Sequence, residues 1–331
     1  MTKELEERRA FTVSRVEELR DILTESGEFA ADNACVYATG SYGRCEASNY
    51  SDLDIFIVAK YVSDAQGRKI SLLNRLDAIC IKANLIKETK KLGFPPFSNE
   101  GQYLKSYTTY DFIKALGRPE DYFTNTFTAR LLLLLESCAL VGKDVYLEIA
   151  EEVIAAYWGD FVDHSEDFMP AFLANDILRL WRTFCVNYEA FTERTQEQKA
   201  KRKIKNYKLK HSRLMTCYSA ILYLLHIYKK HKTVTPLDAK NMFGMSPTHR
   251  IELMRNDDSL HEYAGLLDGI LNKYESFLIA TNIDEEGLKE KFMDKTQSRQ
   301  LMDASTEFGD LMFEALNQIG AGNRFHRMIV V

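Results

Sequence analysis

The sequence predicts an α+β fold, with strands and helices mixed over residues 1–145 and helices alone over 146–331. Three observations lead there. The two β-prone runs, Ala34 to Thr39 and Leu53 to Val58, both fall in the first part. Beyond about residue 145, apolar residues recur only at helical spacing. Glycine and proline, 16 and 6 in number, are scarce in a chain rich in Leu, Glu, Lys and Ala, which favours helix.

Taken in order, residues 4–26 read as an amphipathic helix with Phe11, Val13, Val16, Leu19 and Leu23 on one face. The run ending at Thr39 is the first strand, stopped by Gly40, and Leu53 to Val58 is the second. Helix returns over 68–92. Gly93 to Gly101, with two prolines, is a loop, and Gln102 to Tyr107 is a candidate third strand. A leucine-rich helix spans 125–137. Further helices are expected near 145–158, 171–191, 196–230, 247–256 and 258–280, and Met328 to Val331 reads as a short strand or a tail.

The formal charge is −5 and the pI near 5.9, which argues against a protein that coats nucleic acid indiscriminately, and no DNA partner is expected. Six scattered cysteines without a C-x-x-C pair argue for reduced thiols rather than a disulfide framework or a zinc site. The charged N-terminus has no signal-peptide pattern, and the leucine run Leu131 to Leu135 is far too short for a bilayer. A cytoplasmic protein with no membrane partner is the expectation. The seven histidines show no ligand spacing, and neither a nucleophile elbow nor a P-loop lysine motif is present.

The stretch carrying chemistry runs from Tyr37 to Val58 as strand, glycine turn, short helix and strand. Gly40 and Gly43 allow close approach of backbone to a ligand, and Ser41 offers a hydroxyl to a phosphate oxygen. Arg44 presents a fork of donors suited to a phosphate or to a buried carboxylate. Asp52 and Asp54, one residue apart at a strand start, point to the same face. Their mutual repulsion is relieved by a divalent cation, and hard oxygen ligands suit Mg²⁺ or Mn²⁺. Tyr42 and Tyr50 flank the motif, placed to stack on a base or to pack.

Gly40-Ser41-x-x-Arg44 followed by Ser51-Asp52-x-Asp54 resembles the signature of the DNA polymerase β-type nucleotidyltransferases. The short spacing and the Gly43-Arg44-x-Glu46 element are most similar to the branch that contains the bacterial protein uridylyltransferases. The resemblance implies a nucleotidyltransferase lobe built on a small mixed β-sheet with flanking helices. It places Gly40, Ser41, Tyr42, Gly43 and Arg44 over the nucleotide and makes Asp52 and Asp54 the metal ligands. Members often carry a third acid. Glu136 matches a family segment, with Glu for the family's Asp and Cys138 for its Arg, and Glu100 competes on chain order.

In the helical region, Asn175, Arg179 and Arg182 share one helix face beside Trp181, suited to phosphates or to surface ion pairs. Lys199 to Arg213 carries eight Lys or Arg and no acid, the footprint of a polyanion site. Lys208, Lys210 and Arg213 enter an apolar helix and are the nucleotide-binding candidates, whereas the alternative of a solvated linker between two helices fits Lys199 to Lys205 better. The expected activity is transfer of a nucleoside monophosphate from a nucleoside triphosphate to a hydroxyl of a protein, an RNA or a small molecule. Pyrophosphate is released, and the nucleotide lies between the two regions. The alternative is a nucleotide-binding sensor or antitoxin-like partner that retains the fold without turnover.

Overall fold

The computed structural model describes residues 3–97, 101, 104–189 and 195–330. The chain divides into two compact units: Glu7–Gly159, and Asp160–Val331 together with Met1–Glu6. It is mixed α+β and mostly helical, with one small mixed sheet.

The first unit contains α1 (Lys3–Ile22), whose first residues belong to the other unit, and α2 (Thr24–Ala30). The helix read over 4–26 is thus interrupted at Leu23, where ψ turns to 20°. There follow β1 (Ala34–Thr39), a one-turn α3 (Gly40–Gly43), β2 (Asp54–Ala59), and a hairpin of β3 (Tyr61–Ser63) and β4 (Lys69–Ser71). Then come α4 (Arg75–Lys91), β5 (Ser106–Thr108), α5 (Thr109–Lys114), α6 (Glu120–Phe123), α7 (Thr126–Leu135), β6 (Cys138–Val141) and α8 (Lys143–Tyr157). The strand expected from Gln102 forms only from Ser106, and Gln102 and Tyr103 lie outside the described residues. The hairpin and β6 are absent from the sequence reading.

The sheet runs β5-β2-β1-β6. β1 pairs antiparallel with β2, opposing Thr39 to Asp54, and antiparallel with β6, while β5 joins β2 in parallel. Alternation sorts the two faces. Ala34, Val36, Ala38, Ile55, Ile57 and Ala59 share one core with Leu19 of α1 and with Ile81 and Leu85 of α4. On the opposite face Tyr37 stacks on Phe56 at 5.5 Å and donates its hydroxyl to the Ala129 carbonyl at 2.9 Å. Tyr146 of α8 lies 6.0 Å from Tyr37, so α8, which straddles residue 145, is a layer of the sheet unit.

A fully buried ion pair ties the helices of that layer together. Arg130 donates to both oxygens of Asp121, at 2.9 and 2.6 Å, to the Tyr157 hydroxyl at 3.0 Å, and to the Phe112 carbonyl at 3.0 Å. Burial opposes its charge, but Asp121 and the other acceptors hold the guanidinium even more firmly protonated than usual.

The second unit is helical: α9 (Ala171–Glu189), α10 (Gln196–Lys208), a π-helical turn (Leu209–Arg213), α11 (Leu214–His231), α12 (Pro236–Phe243) and α13 (Pro247–Arg255). It continues with α14 (Ala264–Ala280), α15 (Glu285–Met293), α16 (Lys295–Gly320) and α17 (Arg324–Val330). The terminal strand or tail is in fact helix, anchored by Phe325, which is fully buried with its ring 5.9 Å from Tyr228. His211, in the π turn, is sandwiched between Phe277 at 4.5 Å and Phe308 at 5.1 Å. Among the described residues no helix is long and apolar enough to cross a membrane, and all six cysteines are free thiols.

Candidate functional site

The turn after β1 is built around two glycines with different tasks. Gly40 has φ +66°, a left-handed conformation that costs little only without a Cβ. A Cβ there would also stand 3.1 Å from the Asp54 Oδ2 atom, so the turn and the head of β2 touch. At Gly43 a Cβ would lie 2.1 Å from the Glu136 carbonyl oxygen. The close approach expected of Gly43 is therefore to the protein's own chain at 136–137, not to a ligand. The intervening α3 is a single turn, so its dipole is small.

What fixes the turn is a buried charge network. The Gly40 amide donates to Glu136 Oε1 at 3.2 Å, and Arg44 donates to Glu136 Oε2 at 2.9 Å and to Glu46 at 2.6 Å. Glu46 and Glu136 are each 2 % exposed and Arg44 is 7 % exposed. Of the two roles open to Arg44, the structure gives it the buried carboxylate, so it is not presented to a phosphate. Glu136 likewise clamps the turn from the α7–β6 junction, with both oxygens engaged. Among the described residues no group of three or more His, Cys, Asp or Glu is placed to hold a metal ion. Glu100 lies outside the described residues.

The chain returns to the sheet through a loop fastened to α1. Arg8 donates to the Glu46 carbonyl at 3.0 Å, and the Ala47 amide donates to the Thr12 hydroxyl at 2.8 Å. A tight turn, closed by the Ser51 amide on the Ser48 carbonyl at 3.0 Å, delivers Asp52. Asp54 opens β2, whereas Asp52 precedes the strand instead of lying in it. Both acids are exposed, with Leu53 and Ile55 buried between and after them. Asp52 is near enough to Tyr42 to disfavour ionisation of its phenol, which burial chiefly pushes up to about 12.

Tyr42 itself is buried, 5.7 Å from Phe94, and packs instead of offering a face to a base. Tyr50 is 56 % exposed and Ser41 half-buried. Residues that the sequence reading passed over complete the site. Arg8 and Thr12 carry no local motif, because their task is to meet a loop some 35 residues away. The Thr39 hydroxyl, opposite Asp54, is buried without a hydrogen-bond partner.

In the helical unit two separately read features come together. The π turn packs on α9, where the Arg213 guanidinium lies 5.1 Å over Phe184. Trp181 meets Tyr218 edge-on at 5.9 Å, and the charge of Arg182 acts on the Tyr218 phenol as that of Lys210 acts on the Cys185 thiol. Arg179 pairs with Asp176 at 3.3 Å, and Asn175, Arg182 and Lys208 are exposed. Lys199 to Lys205 is no linker: α10 buries Ala200, Ile204 and Tyr207, while Lys203 reaches Ser298 and Lys201 approaches Glu285.

No family model, no curated protein and no solved structure matches the chain.

Proposed function

We propose that the chain is a metal-dependent nucleotidyltransferase whose reacting centre is the Gly40–Ser41 turn together with Asp52 and Asp54. One observation carries this reading: two exposed carboxylates stand at the head of β2, and Asp54 lies beside a glycine turn that a buried network holds. The donor set fits a small hard cation, because Mg²⁺ is usually held by one or two carboxylates with phosphate and water oxygens completing the shell. A bound Mg²⁺ or Mn²⁺ supplies neutralisation of phosphate charge and a more acidic acceptor hydroxyl.

In this reading Asp52 and Asp54 hold the cation, and the Ser41 hydroxyl donates to a phosphate oxygen. The Gly40 amide, committed to Glu136, fixes the turn and leaves phosphate binding to its neighbours. The acceptor oxygen bonds to the α-phosphorus, the bond from that phosphorus to the β-phosphate bridging oxygen breaks, and pyrophosphate leaves with the electron pair. The acceptor proton passes to solvent. Catalysis is by positioning and charge neutralisation, as in other phosphoryl transfers. The Arg182, Lys210 and Arg213 face supports a polyanionic ligand for the helical unit, a nucleotide or an RNA acceptor.

A second reading, a nucleotide sensor without turnover, is supported by the engagement of both oxygens of Glu136, one candidate third carboxylate, in the turn network. Titration of Mn²⁺, followed by its electron paramagnetic resonance with and without ATP, tests the site in both readings. Binding lost in Asp52→Asn and Asp54→Asn supports it, and unchanged Mn²⁺ affinity in both variants contradicts it.

A further inference from the structure

Helix α4 is apolar on two sides, and among the described residues only one of them is buried in the core. Its inner face buries Ile81 and Leu85 in the sheet core, and Asn84 locks it to α2 through Ser26 at 2.6 Å and Glu25 at 2.8 Å. Its outer face carries Leu76, Ile79 and Ile86, exposed by 73, 52 and 49 %, with exposed Ala83 among them. Residues 76, 79, 83 and 86 follow the alternating three- and four-residue steps of a two-helix seam, with small Ala83 inside it. Just before the helix in sequence, the cross-strand pair Val62 and Ile70 and then Leu72 are exposed by 45, 47 and 36 %.

The flanks of the seam identify what fits it. In heptad terms Arg75 and Lys82 border one side and Lys87 the other, with exposed Lys90 at the next seam position. The acids of the helix are taken: Glu88 by Lys91 at 2.7 Å and Lys87 at 3.6 Å, and Asp77 by the N-terminal cap, where the Asn74 side-chain amide donates to its carboxylate. A second copy of α4 would set Lys82 against Lys82 or against Lys87, cation against cation, in either orientation, which disfavours self-pairing. A strict two-position seam is also narrower than the broad apolar face with which helices lie on lipid.

We propose that the outer face of α4 docks an acidic amphipathic helix of a partner protein, with apolar residues at seam spacing and Asp or Glu flanking them. The surface is independent of the nucleotidyl-transfer reading. The apolar seam supplies contact area, and the cationic border selects the sign of the partner and makes association weaken with salt.

The test uses the full chain and a labelled synthetic heptad peptide with Leu and Ile at the seam positions and Glu at the flanks. Its twin has Lys at the flanks, and fluorescence anisotropy reports binding. The Glu peptide is expected to bind at least about tenfold more tightly than the Lys twin, a difference of roughly 1.4 kcal/mol. Ile79→Glu, on a side chain already half exposed, is expected to abolish that preference with an unchanged melting temperature. Equal binding of the two peptides, binding of neither, or indifference to Ile79→Glu overturns the proposal. So does a dimer in sedimentation that Ile79→Glu dissociates, or Ile79-dependent pelleting with phosphatidylserine vesicles.

Discussion

Replacing Arg44 by Met tests whether the glycine turn is held by its buried charge network. The substitution keeps the length of the side chain and removes the guanidinium that donates to Glu46 at 2.6 Å and Glu136 at 2.9 Å. Two carboxylates, each 2 % exposed, then lose the Arg44 guanidinium. Breaking a buried pair by deleting one partner costs about 3–5 kcal/mol. In a unit of this size each kcal/mol lowers the melting temperature by about 2–4 °C, so a fall on the order of 10 °C is expected. Glu136→Gln keeps an acceptor for the Gly40 amide while turning a donor toward Arg44, and its cost is about 2 kcal/mol. Because both changes strike one network, the double variant is predicted to cost less than their sum by at least about 1 kcal/mol. Urea unfolding of the four proteins measures this coupling, and hydrogen exchange at the Gly40 amide reports the turn directly. Additive costs, or a Gly40 amide equally protected in Glu136→Ala and wild type, would refute the reasoning.

Three more outcomes follow from other packed groups. Gly43→Ala forces a methyl to within 2.1 Å of the Glu136 carbonyl and is expected to cost about 3 kcal/mol in urea unfolding, with a near-neutral result contradicting the close approach. Asp121→Ala strands the fully buried Arg130 and is expected to destabilise the sheet unit by about 3–5 kcal/mol, read by the same assay. Burial between two rings pushes the His211 imidazole down to about 4 from an ordinary 6.5. The neutral form is the folded one, so this contribution is complete above pH 6.5. It is lost as pH falls toward 4, by roughly 3 kcal/mol in all. His211→Phe is expected to flatten that part of the stability–pH curve, and a curve of unchanged slope would contradict the assignment.

The parts of the fold legible in the sequence are those dictated by local pattern. β1 and β2 showed as β-branched and aromatic runs because both strands are central and buried on two faces. Helices α9 to α11 showed because apolar spacing over many turns is hard to mistake. β6 was hidden because Cys138 to Val141 continues the apolar character of α7, and only pairing with β1 makes it a strand. The β3–β4 hairpin was hidden because its exposed residues carry no alternation against a core.

The order of Gly40, Ser41, Asp52 and Asp54, which the proposed site rests on, was readable because their spacing is local. The partners of Arg44 and the backbone against Gly43 were not, because Glu136 lies 92 residues from Arg44 and meets it only through the sheet. Charge alone left Lys199 to Lys205 ambiguous. The buried Ala200, Ile204 and Tyr207 decide that this stretch is a packed helix.

The most direct test of the central claim is incubation of the purified chain with each α-³²P-labelled nucleoside triphosphate and Mg²⁺, with and without cell lysate. Products are resolved as protein, RNA and small molecules, beside Asp52→Asn and Asp54→Asn controls. Both controls change exposed side chains, and the melting temperature of each confirms that it is folded. The account predicts label in one product class, lost in both folded variants. Label that persists in both variants, or nucleotide bound with no label transferred to any class, would contradict it.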